Sequence, residues 1–253
     1  LFQILLIFFS VIFLDLKILS SRILFFDNLL ELFYFNILFT CFCLLILING
    51  SNFIDGLNGL LLIYMTTVLY VLLDTSLLSN TNLKLLLEID GTYILFLVIT
   101  LVVIIILNLM NSLMLGDAGA YILSFFVGYI IILCHNSNPN ISPYFFITLL
   151  WYPCYENLFS ILRKLKNKFS PLVPDNNHLH QLIFKRFSKV IKDKVIANNA
   201  CSILINIVNG IILLLAARYP YESIYQIKII SISIFLYTST FFILNTKIKT
   251  LKK

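Results

Sequence analysis

Residues 33–50 read FYFNILFTCFCLLILING, a run of 18 residues without Asp, Glu, Lys or Arg. Its length is close to the stretch of about 20 apolar residues that a helix needs to cross a bilayer. Comparable runs recur along the chain, at residues 1–14, 57–73, 92–110, 119–134, 143–162, 195–217 and 227–244. The sequence therefore predicts one all-α domain over residues 1–253, a polytopic membrane bundle of about eight transmembrane helices.

The composition supports a membrane protein and excludes two other classes. Hydrophobic residues make up 60% of the chain, charged residues make up 12%, and the mean hydropathy is +0.98. A soluble protein needs more polar surface than this, and a disordered chain has few aromatic and β-branched residues. The five cysteines lie mostly in apolar runs, where a thiol acts as a small hydrophobic group, so neither a disulfide nor a cysteine metal site is expected.

The basic residues predict the orientation. Nine of the 18 Lys and Arg residues lie in loop 163–194, and four more lie in the tail after residue 244. With eight spans this loop and the tail face the same side, which the positive-inside rule makes cytoplasmic. The connections 51–56 and 111–118 then face the cytoplasm as well.

Three polar clusters lie at that predicted cytoplasmic side. The first is Asn49-Gly-Ser-Asn52-Phe-Ile-Asp55-Gly56-Leu-Asn58-Gly59. Asn52, Asp55 and Asn58 would share one face if this segment were helical. A polar loop between two spans is the alternative interpretation.

The second cluster is Gly116-Asp117-Ala118-Gly119-Ala120, at the start of the fifth span. Asp117 could serve only as a helix N-cap. It would equally suit Mg²⁺, a hard cation, with phosphate oxygens completing the coordination shell.

The third cluster is Pro174-Asp175-Asn-Asn-His178-Leu-His180-Gln181, within the basic loop. Two histidines spaced H-x-H cannot share a helical face, so an extended or irregular segment is expected. Zinc would need further His or Cys ligands nearby, whereas histidines beside Arg163 and Lys164 would suit a pyrophosphate.

In this order and on this side, the three clusters resemble the motifs of the polyprenyl-phosphate N-acetylhexosamine-1-phosphate transferases, within glycosyltransferase family 4. The resemblance runs over essentially the whole chain. His-Leu-His after Pro-Asp is similar to the undecaprenyl-phosphate GlcNAc-1-phosphate transferase branch, whereas the peptidoglycan translocase carries three consecutive histidines.

The resemblance implies an EC 2.7.8-type enzyme of the bacterial inner membrane with a cytoplasmic active face and C-terminus. It would transfer an N-acetylhexosamine 1-phosphate from a UDP-sugar to polyprenyl (undecaprenyl) phosphate and release UMP. UDP-GlcNAc is the favoured donor. The implied cofactor is Mg²⁺ or Mn²⁺, and the product would begin a cell-envelope glycan such as lipopolysaccharide. Its partners would be the bilayer, the two substrates and no nucleic acid, with a homodimer as one option.

The resemblance also implies roles for individual residues. Asp117 would bind the metal together with Asn52, and Asp55 would act in catalysis and face the uridine or its phosphates with Gly56 and Asn58. His178 and His180 would act in catalysis by contacting the sugar phosphate. The further substrate-binding candidates are Asn49, Arg163 and Asp175.

The chain departs from the family pattern at four points. Asn58, Ala120 and Gln181 stand where many members have Asp, Ser and His. The family also carries an adjacent Asp pair in its first cytoplasmic loop. Asp15 and Asp27 cannot replace this pair, because each is single and lies on the predicted external side. We therefore expect a chain truncated upstream of Leu1, and we expect these 253 residues alone to be inactive.

Two alternatives remain open. The first is a phospho-MurNAc-pentapeptide translocase, which the missing run of three histidines disfavours. The second is a non-enzymatic transporter or lipid-binding relative. A transporter would carry polar residues at the membrane midplane or on both sides, whereas the clusters here lie on one side.

Overall fold

The computed structural model describes residues 2–74, 91–166, 168, 170 and 177–250. Within these residues the regular structure is entirely α-helical, which confirms the predicted all-α class. The described helices are α1 (Phe2–Phe13), α2 (Leu24–Leu30), α3 (Phe33–Ile54), α4 (Leu60–Asp74), α5 (Gly91–Leu109), α6 (Gly116–Ser137), α7 (Pro143–Leu149), α8 (Trp151–Lys166), α9 (Leu179–Val190), α10 (Lys194–Ala217) and α11 (Ser223–Thr250).

The lengths and composition of the helices fit a protein that crosses a membrane several times. Among the described residues, α3, α6, α10 and residues 223–246 of α11 are long and apolar enough to span a bilayer. Three shorter apolar helices, α1, α4 and part of α5 (Phe96–Leu109), coincide with three further predicted spans. Large apolar side chains such as Phe42, Ile207 and Phe235 are more than half exposed, as expected for surfaces that face lipid.

The predicted continuous span 143–162 is wrong, because the chain forms two helices there, α7 and α8, which meet at Leu150. Pro153 has no N–H with which to bond the Leu149 carbonyl one turn earlier. The Tyr64 hydroxyl of α4 donates to that carbonyl instead, at 2.9 Å. Together α7 and α8 still run from one end of the bundle to the other, so the predicted alternation of chain direction is kept.

Helix α3 lies at the centre of the bundle and packs against α1, α6 and α8. Its approach to α8 is close, since a Cβ atom on Gly50 would lie 1.9 Å from the Pro153 carbonyl oxygen. Its approach to α6 is also close, since a Cβ on Gly128 would lie 2.8 Å from Leu44 Cδ2. Small residues thus allow the backbones to approach, as is common between membrane helices.

The loops gather at two ends of the bundle. At one end, which we call the basic end, residues 55–59, 110–117 and 177–180 meet; the contacts are described below. At the opposite end Arg22 joins three loops, because its guanidinium donates to the carbonyl of Asn140 at 2.6 Å and to that of Tyr221 at 3.1 Å. All three polar clusters therefore belong to the basic end, as far as the structure describes them.

Candidate active site

The first polar cluster begins in α3 and continues into a turn. Helix α3 ends at Ile54, and the Asp55 N–H donates to the Ser51 carbonyl at 3.1 Å as the C-cap. Residues 55–59 are not helical, and Gly59 has a positive φ of 73°, a conformation that favours glycine. The expectation that Asn52, Asp55 and Asn58 share a helical face is therefore not met, because the helix stops before Asp55.

Asparagines from neighbouring elements hold this turn in place. The backbone N–H of Asn58 donates to Asn198 Oδ1 of α10 at 2.8 Å, and the N–H of Gly59 donates to Asn108 Oδ1 of α5. The Asn58 side chain donates to Asn111 Oδ1 at 3.5 Å. These bonds join the turn to α5 and α10, and they place Asn58 on the side of the turn that faces those helices.

Asn49, another predicted substrate-binding residue, lies one turn before the end of α3. Its side-chain amide donates to the Leu45 carbonyl of the same helix at 2.8 Å. Asn49 thus lies toward the basic end of α3. Within the part of the chain that the structure describes, its side chain makes no hydrogen bond to Asp55 or Asp117.

Asn52 and Asp55 lie at the end of α3 and Asp117 lies at the start of α6, and we call these three residues the acidic cluster. The Asn52 amide nitrogen donates to the Tyr121 hydroxyl of α6 at 3.1 Å. Asp117 lies one turn before Tyr121 on α6 and is exposed. Burial raises the pKa of Asp55 to about 7, and the negative charge of Asp117 raises it further in the same direction. The charge of Asp117 on α6 thus acts on Asp55 at the end of α3, and the Asn52 side chain contacts α6 through Tyr121.

Asp117 does not cap its helix. Helix α6 begins at Gly116 with Leu115 as its N-cap residue, and no side chain caps it. Gly116 has a φ of 68°, and a Cβ on it would meet nothing within 4 Å, so the space beside Asp117 is open. The carboxylate is thus accessible to a ligand.

The chemistry of the acidic cluster fits a hard divalent cation. Its donors are carboxylate oxygens and, since the Asn52 amide nitrogen bonds Tyr121, the Asn52 amide oxygen. Mg²⁺ is usually held by one or two carboxylates together with substrate phosphates. Within the described ranges, no group of three or more His, Cys, Asp or Glu side chains is placed to hold a metal ion.

His178 and His180 lie beside the acidic cluster, and we call them the histidine pair. His178 has an extended backbone (φ −81°, ψ 151°) directly before α9, and His180 lies in the first turn of that helix. This agrees with the expectation that H-x-H does not lie on one helical face. The two rings nevertheless stack, with centroids 5.7 Å apart and an interplanar angle of 11°.

His180 links the histidine pair to the turn after α3. It is fully buried, and a Cβ atom on Gly56 would lie 3.1 Å from its Nε2 atom. Burial lowers the pKa of His180 to about 4; the nearby Glu156 opposes this shift and His178 adds to it. The ring is therefore neutral at pH 7. Gly56 is exposed, so a ligand can reach the backbone beside the histidines.

Two residues of the site had no predicted role. Glu156 of α8 is fully buried and its Oε1 lies 2.9 Å from His178 Nδ1, while Tyr121 bonds Asn52. An acid inside the apolar run 143–162 was the available signal for Glu156. Gln181, one of the departures from the family pattern, accepts a hydrogen bond from the His178 N–H at 3.4 Å.

Arg163 connects α8 to the segment that precedes α9. Its guanidinium donates to the Asn177 carbonyl and, at 3.5 Å, to Ser160 Oγ. It also lies 5.2 Å from the centroid of the Phe241 ring of α11, a cation–π contact. Asp175, the last predicted substrate-binding residue, lies outside the described residues.

The chain is similar in sequence to a curated transferase and to one family model. Undecaprenyl-phosphate alpha-N-acetylglucosaminyl 1-phosphate transferase of Yersinia pestis is 26% identical over 160 residues, which cover 60% of this chain and 41% of that protein. The match thus spans about two fifths of that curated relative. No solved structure matches the chain. The sequence model of glycosyl transferase family 4 matches residues 1–135, more than half of the 253 residues. The chain therefore belongs to glycosyl transferase family 4.

Proposed function

We propose that this protein transfers an N-acetylhexosamine 1-phosphate from a UDP-sugar, UDP-GlcNAc being the first candidate, to a polyprenyl phosphate such as undecaprenyl phosphate. The observation that carries the proposal is the convergence of the acidic cluster with the histidine pair at one end of an apolar bundle. Membership of glycosyl transferase family 4 and the name of the Yersinia pestis relative support it.

In the proposed reaction, an oxygen of the polyprenyl phosphate attacks the β-phosphorus of the UDP-sugar. The bond from that phosphorus to the oxygen shared with the α-phosphate breaks, and this oxygen leaves with UMP. The lipid product is a polyprenyl diphosphate that carries the sugar. Such a reaction needs positioning and charge neutralisation more than covalent catalysis by the protein.

Each part of the site has a task in this reaction. Asp117 and Asp55, with the Asn52 amide oxygen, would hold Mg²⁺ or Mn²⁺, which neutralises phosphate charge when bound. Gly56 would let the nucleotide approach the backbone closely. His178 and His180 would contact the sugar phosphate by hydrogen bonds, and Arg163 would add positive charge at the same end.

The position of the site suits two substrates from different phases. A polyprenyl phosphate lies in the bilayer with its phosphate at the surface, and a nucleotide sugar is dissolved in water. A site at the end of membrane-spanning helices can receive both. The nine Lys and Arg residues of segment 163–194 favour a cytoplasmic location for this end in a bacterial inner membrane.

The test is UMP release from UDP-GlcNAc by the product of the complete open reading frame, reconstituted with undecaprenyl phosphate and Mg²⁺. The Asp117→Asn variant should lose about 10²- to 10³-fold in kcat, the range for removing one group that stabilises transition-state charge. Asp15→Asn is the matched control, because Asp15 is an exposed aspartate at the opposite end that pairs with Lys17.

Two outcomes would change the proposal. Full transfer activity in Asp117→Asn would remove the metal assignment. UMP release from UDP-MurNAc-pentapeptide, but not from any UDP-N-acetylhexosamine, would replace the proposed donor with that of the translocase.

A further inference from the structure

Arg186 lies on the packed face of α9. Leu179 and Leu182 on that face are buried, and Ile183 packs against the same hydrophobic core. Arg186 follows Leu182 by four residues, so it belongs to the same face one turn later. Helix α9 packs against α10 and α11. An arginine therefore stands where the pattern of an amphipathic helix predicts an apolar side chain.

The guanidinium of Arg186 has two buried donors without an acceptor. Its Nε and Nη2 atoms are buried, and neither has a hydrogen-bond partner within the part of the chain that the structure describes. Burying a cation without an acceptor or an opposite charge is costly, and native proteins leave few such groups. The two atoms lie along one edge of the guanidinium and point the same way, which is the arrangement that binds two oxygens of one anion.

The helices around Arg186 supply no anion of their own. α9, α10 and α11 contain no Asp or Glu, and the two acids of residues 179–250 are Asp193 and Glu222. Asp193 is the N-cap of α10, and its Oδ1 accepts from two backbone N–H groups of the first turn at 2.8 and 3.1 Å. Glu222 lies in the loop between α10 and α11, at the opposite end of the bundle. The counterion of Arg186 must therefore come from outside these helices.

The surroundings of Arg186 favour a lipid as the source of that anion. Helix α10 is long and apolar enough to span a bilayer and begins at Lys194, so α9 lies where that span meets the membrane surface. Lys189 and Lys192 nearby are exposed, and so are Val190 (84%) and Ile196 (57%). Basic and apolar side chains together are typical of a segment at the lipid–water interface, where the basic residues attract anionic headgroups.

We propose that Arg186 anchors a binding site for a lipid phosphate group at the junction of α9 and α10, with the chains of the lipid against Val190 and Ile196. The phosphate would belong to an anionic membrane phospholipid or to a polyprenyl phosphate, since both present the same chemistry to a guanidinium. The inference does not depend on the proposed function, because lipid binding is measured without transfer.

The direct test is native mass spectrometry of the product of the complete open reading frame in detergent micelles. The protein is titrated separately with phosphatidylglycerol, undecaprenyl phosphate and diacylglycerol. Arg186→Gln should bind at least one of the two phosphate lipids about 10- to 100-fold more weakly than the wild type, the effect of losing hydrogen bonds to a charged group. Diacylglycerol, which has no phosphate, should bind both proteins alike. Wild-type affinity of Arg186→Gln for both phosphate lipids would overturn the proposal.

The matched control is Lys189→Gln, which removes the same charge from the exposed side of the same helix. It should weaken binding by about 5-fold or less, the effect of one surface lysine. Arg186→Lys keeps the charge without the pair of parallel donors, so it should restore only part of the affinity. Equal losses in Arg186→Gln and Lys189→Gln would show a diffuse basic surface, which contradicts a site at Arg186.

Thermal unfolding of delipidated protein gives a second measurement. Arg186→Leu puts an apolar side chain on the packed face, so it should be at least as stable as the wild type without lipid. Added phosphate lipid should raise the thermal midpoint of the wild type and leave that of Arg186→Leu unchanged. The same rise in both proteins would argue against the site, and an equal rise with inorganic phosphate alone would exclude a lipid as its ligand.

The two phosphate lipids distinguish the source of the phosphate. Stronger Arg186-dependent binding of undecaprenyl phosphate, with a raised KM for this acceptor and an unchanged KM for UDP-GlcNAc, would place the site on the path of the acceptor. Stronger binding of phosphatidylglycerol, with both KM values unchanged, would make it a site for a structural lipid. A wild type without UMP release would contradict the proposed function and leave the binding result standing.

Discussion

Asp55 is the residue whose electrostatics say most about the site. Its carboxyl is half-buried at the end of α3, and the negative charge of Asp117 on α6 acts on it. Burial, helped by that second negative charge, moves its pKa from 3.8 to about 7. A site in which negative charge is unfavourable in this way is suited to a bound cation, which would lower the pKa of the carboxyl again.

This shift predicts how stability depends on pH and on Mg²⁺. The folded protein keeps a proton on Asp55 up to about pH 7, whereas the unfolded chain loses it near pH 3.8. Without a divalent cation, the contribution of Asp55 should therefore make the protein less stable as pH rises through this window. Mg²⁺ binds the deprotonated form, so it should raise the thermal midpoint at pH 8 and have little effect at pH 5.

Thermal unfolding followed by intrinsic fluorescence, with and without Mg²⁺, measures both effects. Asp55→Asn should remove most of the pH dependence, because the amide does not titrate. An equal rise in the midpoint with Mg²⁺ at pH 5 and pH 8, or an unchanged response in Asp117→Asn, would argue against a cation site at the acidic cluster.

At the scale of the elements, the α3–α8 crossing positions the site. It brings Phe53 at the end of α3 to the His178 ring and sets Glu156 of α8 beside the Nδ1 atom of that ring. Gly50 and Pro153 make the crossing close, and the Asn157 bond to the Ile46 carbonyl adds to it. Changes in this crossing should therefore disturb the histidine pair even though they lie outside it.

Gly50→Ala tests the crossing. The added Cβ would meet the Pro153 carbonyl oxygen at 1.9 Å, and a backbone atom cannot move away alone, so α3 and α8 must separate. We expect a loss of about 1–3 kcal/mol or more in the free energy of unfolding. Gly210→Ala in α10 is the control, because its Cβ meets nothing within 4 Å, and it should gain about 0.5–1 kcal/mol. Similar effects of the two variants on the thermal midpoint would count against the close crossing.

The break between α7 and α8 makes a second prediction. Tyr64→Phe removes the hydroxyl that satisfies the Leu149 carbonyl, which leaves a buried acceptor unpaired at a cost of about 1–3 kcal/mol. Tyr70→Phe on the same helix should have almost no effect, because the Tyr70 side chain is 53% exposed. Thermal unfolding of both variants measures the difference, and equal stabilities would show that the bond does not support the break.

At the scale of the whole molecule, the apolar runs predicted most of the architecture. Seven of the eight predicted spans correspond to single helices, because length and hydropathy suffice where no residue interrupts the run. The eighth predicted span is divided into two helices just before Pro153. There the Leu149 carbonyl is bonded by Tyr64, a residue 89 positions away from Pro153 in the chain. Patterns along one helix do not contain such a partner.

The candidate site was predictable to a similar degree. Asn52, Asp55, Asp117, His178 and His180 stood out because polar residues are rare in so apolar a chain. The partnership of Glu156 with His178 joins α8 to the segment before α9, and it depends on burial that periodicity does not reveal. The sequence also allowed a helix that would have aligned Asn58 with Asp55. In the structure this helix ends at Ile54, and the backbone N–H of Asn58 bonds Asn198 of α10 instead.

The orientation of the bundle is testable with single cysteines in a background without the five native ones. We expect a cysteine at Lys168 to react only from the cytoplasm and one at Asn140, at the opposite end, only from outside. The physical reason is the excess of Lys and Arg at the basic end. Labelling of intact cells with a membrane-impermeant maleimide gives the answer, and the reverse pattern would put the site on the external side.

The most direct measurement of the central claim follows the β-phosphate of the donor. UDP-GlcNAc labelled with ³²P at the β-position is incubated with reconstituted protein, undecaprenyl phosphate and Mg²⁺. Transfer of a sugar 1-phosphate predicts label in the lipid product and unlabelled UMP in solution, with both lost in Asp117→Asn. Label that stays in soluble UDP while the sugar moves to lipid, or no transfer by the product of the complete open reading frame, would contradict the proposed function.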